Sequence, residues 1–176
     1  MLNIHRNRLL LPTIAALTVA CGAQGAEVMR HPLMGGSKFP IARAVEVPAG
    51  STIVFHSGMT PAPLDPKAPA GTAAYWGDTK TQAMSTFARI KESLDDLGMS
   101  FGDVVAMTVY LVGDPAKDGH MDFDGFMAAY TQFFGTTIQP NLPARSAVQV
   151  AGLAGGAGMM VEIEVQLVKK PKPVKK

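Results

Sequence analysis

Residues Thr79 to Gly98 read TKTQAMSTFARIKESLDDLG, and this stretch decides the fold class. Its apolar positions Ala83, Phe87, Ile90, Leu94 and Leu97 recur at intervals of 4, 3, 4 and 3, which places them on one helical face. Thr79 and Gln82 have capping-box spacing at the start, and Gly98 supplies a stop, so the pattern predicts an amphipathic helix over 79–97. A second helix is predicted from Asp122 to Phe134. There Phe123, Phe126, Met127, Tyr130, Phe133 and Phe134 recur at 3 and 4, and Gly135 ends the run. Aromatics at that spacing read as core. Outward from the helices, Ile41–Val47, Thr52–His56, Val104–Val112, Ser146–Ala151 and Met159–Val168 read as strands, with Val47-Pro48-Ala49-Gly50 turning between the first two. Pro61 to Tyr75 reads as a long loop.

The order ββ, α, β, α, ββ predicts an α+β domain in which two helices cover one face of a single mixed sheet. Nothing in the chain is left to cover the other face, so an oligomer packing sheet against sheet is expected.

Composition excludes several classes. Among 176 residues, 47% are hydrophobic and 17% charged, and neither a Gly-x-y period nor a proline run occurs, which leaves an ordinary folded protein. Arg6 and Arg8 precede an apolar run from Leu9 to Ala20, too short to span a membrane, and small residues Cys21 to Ala26 follow. This three-part design predicts a signal peptide over 1–25 and an exported, periplasmic protein. The alternative is a lipoprotein anchored at Cys21. Cys21 is the only cysteine, so a mature chain has none for a disulfide or a catalytic thiolate. Lys169, Lys170, Lys172, Lys175 and Lys176 form a lysine-rich tail over 169–176, read as a solvated end, with a weak contact to an anionic surface as the other reading. Without both ends, nine Lys and Arg face 14 Asp and Glu. That balance speaks against nucleic acid as a partner.

Nucleotide-loop, nucleophile-elbow and zinc-protease motifs are missing from the sequence. His5, His31, His56 and His120 share no ligand spacing, so neither a metal nor a cofactor is expected. Gly155 to Gly158 reads as a turn. Two local features remain. Pro140-Asn141-Leu142-Pro143-Ala144-Arg145-Ser146 opens a strand, and in Val161-Glu162-Ile163-Glu164-Val165 the two glutamates point to the face opposite the aliphatics. Either this is a wet outer face, or Arg145 and Glu162 meet in a cleft, with the arginine gripping a carboxylate and the glutamate handling a water.

Leu142-Pro143-Ala144-Arg145-Ser146-Ala147-Val148, followed by Val161-Glu162-Ile163-Glu164 and preceded by Gly98-Met99-Ser100, Asp103-Val104-Val105 and Thr108-Val109-Tyr110-Leu111, resembles the RidA/YjgF family of imine deaminases. Ser57-Gly58 and Tyr130-x-x-Phe133-Phe134 add to the likeness, which runs from about Pro40 to Val168 within a domain taken as 26–168. The resemblance implies a chorismate-mutase-like fold, a homotrimer with pockets at its subunit interfaces, and cofactor-free hydrolysis of reactive 2-imino acids such as 2-aminoacrylate to 2-oxo acids and ammonia. It implies catalytic roles for Arg145 and Glu162, the first clamping the substrate carboxylate and the second activating water. Ser57, Ser146 and Ala147 would line the substrate beside Arg145. The sequence departs from the family pattern at Ile41, where a tyrosine is usual, at Met127, where asparagine is usual, and at Ala147, where cysteine is usual. These changes make the pocket less polar. They keep open a second class of function, a trimeric binding protein that holds a small carboxylate without turnover.

Overall fold

The computed structural model describes residues 27–169. The signal peptide, the lipidation alternative at Cys21 and residues 170–176 of the lysine tail lie outside the described residues. Among the described residues six strands and three α-helices follow one another: β1 (Met29–His31), β2 (Ala44–Glu46), β3 (Thr52–Met59), α1 (Ala73–Trp76), α2 (Thr79–Asp96), β4 (Val104–Val112), α3 (Phe123–Tyr130), β5 (Ala144–Val150) and β6 (Val161–Lys169). Four of the strands form a mixed sheet in the order β3-β6-β4-β5, with β4 and β5 parallel and the other pairs antiparallel. A parallel neighbour requires a crossover, and α3 lies on the connection between β4 and β5.

Helices α2 and α3 cover one face. Phe87, Ile90 and Leu94 of α2 and Phe126 and Tyr130 of α3 close over Met107, Val109 and Leu111 of β4 and Val161, Ile163, Val165 and Leu167 of β6. The aliphatics alternating with Glu162 and Glu164 are therefore on the helix side, and the glutamates on the open side. The α+β expectation holds, with one mixed sheet and two helices on one face.

Three local expectations are corrected. Ile41–Val47 does not join the sheet as a hairpin with the following strand. Only Ala44–Glu46 is extended, and it pairs with β1 as a separate two-stranded ribbon, Met29 opposite Glu46 and His31 opposite Ala44. The cause is upstream docking. Ala42 N–H donates to Pro143 O at 2.9 Å, fixing the chain beside the start of β5, at the far edge of the sheet from β3. Arg30 anchors the ribbon by donating to Leu142 O at 2.7 Å and Gly102 O at 3.1 Å.

The capping box at Thr79 and Gln82 also fails. The N-cap is Asp78, whose carboxylate accepts from Thr81 N at 2.7 Å and is held below the usual carboxylate range by Thr81, chiefly by its side chain and next by this backbone N–H. Gln82 is fully buried instead. At the other end Gly98, at a φ of 65°, donates to Asp95 O while Met99 N donates to Leu94 O, which is the Schellman arrangement. The second helix is shorter than predicted and stops at Tyr130. Phe133 N and Phe134 N both donate to the Tyr130 carbonyl, so the chain tightens and turns both rings inward.

Candidate functional site

Arg145 is the second residue of β5 and stands opposite Met107 of β4, which stands opposite Val165 of β6. Met107 and Val165 belong to the core, so register alone puts Arg145 on the helix side. Helix α3 receives it with aromatic rings. The guanidinium carbon lies 4.3 Å from the Tyr130 ring centre, 5.2 Å from Phe126, 5.7 Å from Phe123 and 5.5 Å from Phe39, which arrives from the segment before β2. Within this cage Arg145 Nη1 is buried and has no hydrogen-bond partner. Burial lowers the Arg145 pKa from its ordinary value, against the opposing pull of Tyr130, while the same burial pushes the Tyr130 phenol up to about 12. The Tyr130 hydroxyl donates to Pro40 O at 2.8 Å, tying α3 to the segment that carries Phe39. A desolvated guanidinium with an unmatched N–H is a binding group for an anion, and a carboxylate matches its fork.

Glu162 stands in the other half of the sheet. It pairs with Tyr110, which pairs with Val148, three residues beyond Arg145 on β5. Two strand spacings across and three residues along separate the two backbones by roughly 14 Å, and the side chains leave opposite faces. Within one chain, therefore, Arg145 and Glu162 do not meet in a cleft.

The Glu162 carboxylate rests against the backbone of Gly58. A Cβ at that position would overlap its Oε1, so only glycine leaves it room. Gly58 follows Ser57 in an irregularity of the β3–β6 ladder between His56 and Met59, where strand pairing is interrupted next to the carboxylate. Beside it on the open face, Tyr110 Oη donates to Glu164 Oε2 at 2.9 Å, and that bond is the main cause of a raised Tyr110 pKa.

The candidate residues thus fall into two groups. Arg145 and Ala147 lie on the helix side of β5, where Ala147 and Met127 pack against the core. Ser146 is exposed and, through its register with Thr108 and Glu164, shares the open face with Glu162, while Ser57 is exposed in the interrupted segment of β3. The aromatic cage is the part that the sequence did not reveal. Phe123, Phe126 and Tyr130 read as core from their spacing, and Phe126 and Tyr130 are fully buried; only the parallel pairing of β4 with β5 brings Arg145 over them. A cavity of about 310 Å³ lined by Lys91, Ser100, Ile138 and Asn141, among others, includes neither Arg145 nor Glu162. Among the described residues no cluster of His, Cys, Asp or Glu has the arrangement of a metal site.

A mixed four-stranded sheet with two helices on one face is a fold with known relatives. Residues 37–168 match the family described as endoribonuclease L-PSP. The chain belongs to this family, also called RidA/YjgF. It is 34% identical over 119 residues to a 2-iminobutanoate/2-iminopropanoate deaminase of Salmonella typhimurium, covering 68% of this chain and 81% of the relative. It is 33% identical over 124 residues to a RutC family protein of Haemophilus influenzae, covering 70% and 83%. Among solved structures, Escherichia coli TdcF with bound serine superposes with a TM-score of 0.51 at 32% identity, covering 80% of this chain and 94% of that one.

Proposed function

We propose that the protein is an imine deaminase whose sites are shared between the subunits of a homotrimer. The observation that carries this reading is the Arg145 guanidinium, caged, desolvated and with one N–H unmatched, at a sheet edge that its own Glu162 cannot reach. A neighbouring copy can supply the glutamate. The exposed apolar groups on the open face, Phe55 among them at 76% exposure, give such a copy a surface to bury. The names of the Salmonella relative and of serine-bound TdcF support a small carboxylate-bearing substrate.

In the proposed reaction Arg145 holds the substrate carboxylate by its fork, which fixes the adjacent C=N carbon. Glu162 of the next subunit takes a proton from water as its oxygen adds to that carbon. It then returns that proton to nitrogen; as the C–N bond breaks the new hydroxyl gives its own proton to Glu162, and a 2-oxo acid and ammonia leave, the ammonia carrying this last proton away as ammonium. A protonated imine is already electrophilic, so positioning and one proton relay are sufficient. No cofactor enters.

Release of ammonia and 2-oxo acid from freshly generated imino acids tests the proposal. The expected result is a rate well above the spontaneous one that disappears in Arg145→Ala and in Glu162→Gln. Ile41, Met127 and Ala147 favour a second reading, a carboxylate-binding protein without turnover, and a background rate from folded protein that still binds a 2-oxo acid would establish it. The acidic body argues against RNA as substrate despite the family's name. Export is proposed from the basic, apolar and small-residue order of residues 1–25. Fractionation of cells expressing the full chain beside one lacking those residues tests it.

A further inference from the structure

Resting on the deaminase reading, we propose that the preferred substrate is a 2-imino acid with an aromatic or long apolar side chain, and that Phe39 is the residue that selects it. Phe39 is 40% exposed although it is aromatic, and its ring stacks on Phe123 at 6.3 Å between centres with planes 20° apart. Both rings stand 5.5 to 5.7 Å from the Arg145 guanidinium carbon. A carboxylate gripped by that fork has its carbon about 4 Å away, and its α-carbon one bond further out. That distance is comparable with the one at which these two rings stand, and the proposal sets the substrate side chain on the side of Phe39, the exposed one of the two.

The Tyr130 hydroxyl is taken up by Pro40 O, and three further side chains around this segment are apolar. Met127 and Ala147 pack on the helix side with Phe123, and Ile41 is two residues from Phe39. None of the three side chains carries a hydrogen-bonding N–H or O–H, so a hydroxyl-bearing substrate side chain pressed against them would lose its water without replacement. An apolar chain loses nothing there and gains the exposed face of Phe39. The segment around Phe39 holds its position through Phe39 N donating to Ser37 Oγ at 3.3 Å and Ile41 N donating to Phe39 O at 2.8 Å.

Two measurements on the purified protein test this. Calorimetric titration compares phenylpyruvate with pyruvate, which differ in the group that Phe39 would touch, and initial rates compare the imino acids generated from phenylalanine and alanine by an amino-acid oxidase. The phenyl compound is expected to bind at least about tenfold more tightly and to show a kcat/KM higher by a similar factor. Phe39→Ala should bring both ratios toward one, and Phe39→Tyr should restore them. Equal binding of the two oxo acids, binding of neither, or a preference that survives Phe39→Ala overturns the inference. Turnover without preference would sink it and leave the deaminase standing, whereas preferential binding without turnover would keep the ligand class and sink catalysis.

Discussion

Gly58 and Tyr130 each hold one half of the site, and each makes a separate prediction. At Gly58 an added Cβ would meet the tip of the Glu162 side chain, a group that can rotate away. Gly58→Ala is thus expected to fold, with a melting temperature close to that of the parent, while displacing the carboxylate by an ångström or more and lowering kcat by about 100-fold. Melting and single-substrate kinetics on the same preparation check this, and an unchanged rate would remove Glu162 from its proposed role. Tyr130 has its ring under the Arg145 charge and its hydroxyl on Pro40 O. A phenol titrating near 10 in the unfolded chain and near 12 in the folded one keeps its proton longer in the folded state. Stability is therefore unaffected by this group below about pH 10 and falls between about pH 10 and 12, by up to roughly 3 kcal/mol. Denaturant unfolding across that interval should show the loss. In Tyr130→Phe the phenol's share of the alkaline decline should vanish, at a cost of about 1 kcal/mol near neutrality for the lost bond to Pro40.

One buried polar side chain of α2, Gln82, ties the helix to the turn that leads into β6. Gln82 is fully buried; its amide nitrogen donates to Gly77 O at 3.1 Å and Gly158 O at 2.9 Å, and its oxygen accepts from Met160 N at 2.7 Å. Gln82→Ala would leave the Met160 N–H and the Gly158 carbonyl unmatched just before Glu162, and the Gly77 carbonyl unmatched ahead of α2. A loss of about 3 kcal/mol or more is expected by chemical denaturation, with Gln82→Glu also destabilised because a carboxylate cannot donate to the two carbonyls. The same residue explains what the sequence could and could not disclose. Thr79 and Gln82 have the spacing of a capping box, but a local pattern carries no information about which strand passes overhead, and Asp78, one residue earlier, was the better acceptor. Helix faces and alternating strands follow from periodicity within a segment, so α2, β4 and β6 were legible almost to the residue. The β1–β2 ribbon was not, because three residues are too few to show alternation and its position depends on a distant bond to Pro143. Likewise Arg145 and Glu162 were legible as chemical types, while their separation to opposite faces depends on the register of three strands.

At the scale of the molecule, one face of the sheet is closed by helices and the other carries Phe55, Val148 and Ile53 exposed beside Glu162. Apolar side chains on an otherwise polar open face fit an interface between copies, and the separation of Arg145 from Glu162 makes the same demand from the chemistry. If each site takes its arginine from one subunit and its glutamate from the next, an Arg145→Ala chain still carries a sound glutamate and a Glu162→Gln chain a sound arginine. Either variant alone should be inactive. Unfolded together in equal amounts and refolded, they should regain up to about a quarter of the parent rate, because one neighbouring pair in four brings both intact residues to a common site. Light scattering of the mixture should give a trimer throughout, so recovered activity cannot be assigned to a change in assembly. A mixture that stays trimeric and inactive would mean that both residues of a site come from the same chain. That outcome would require β5 or β6 to move from its register, and it would overturn the shared-site mechanism even if the parent protein were a deaminase.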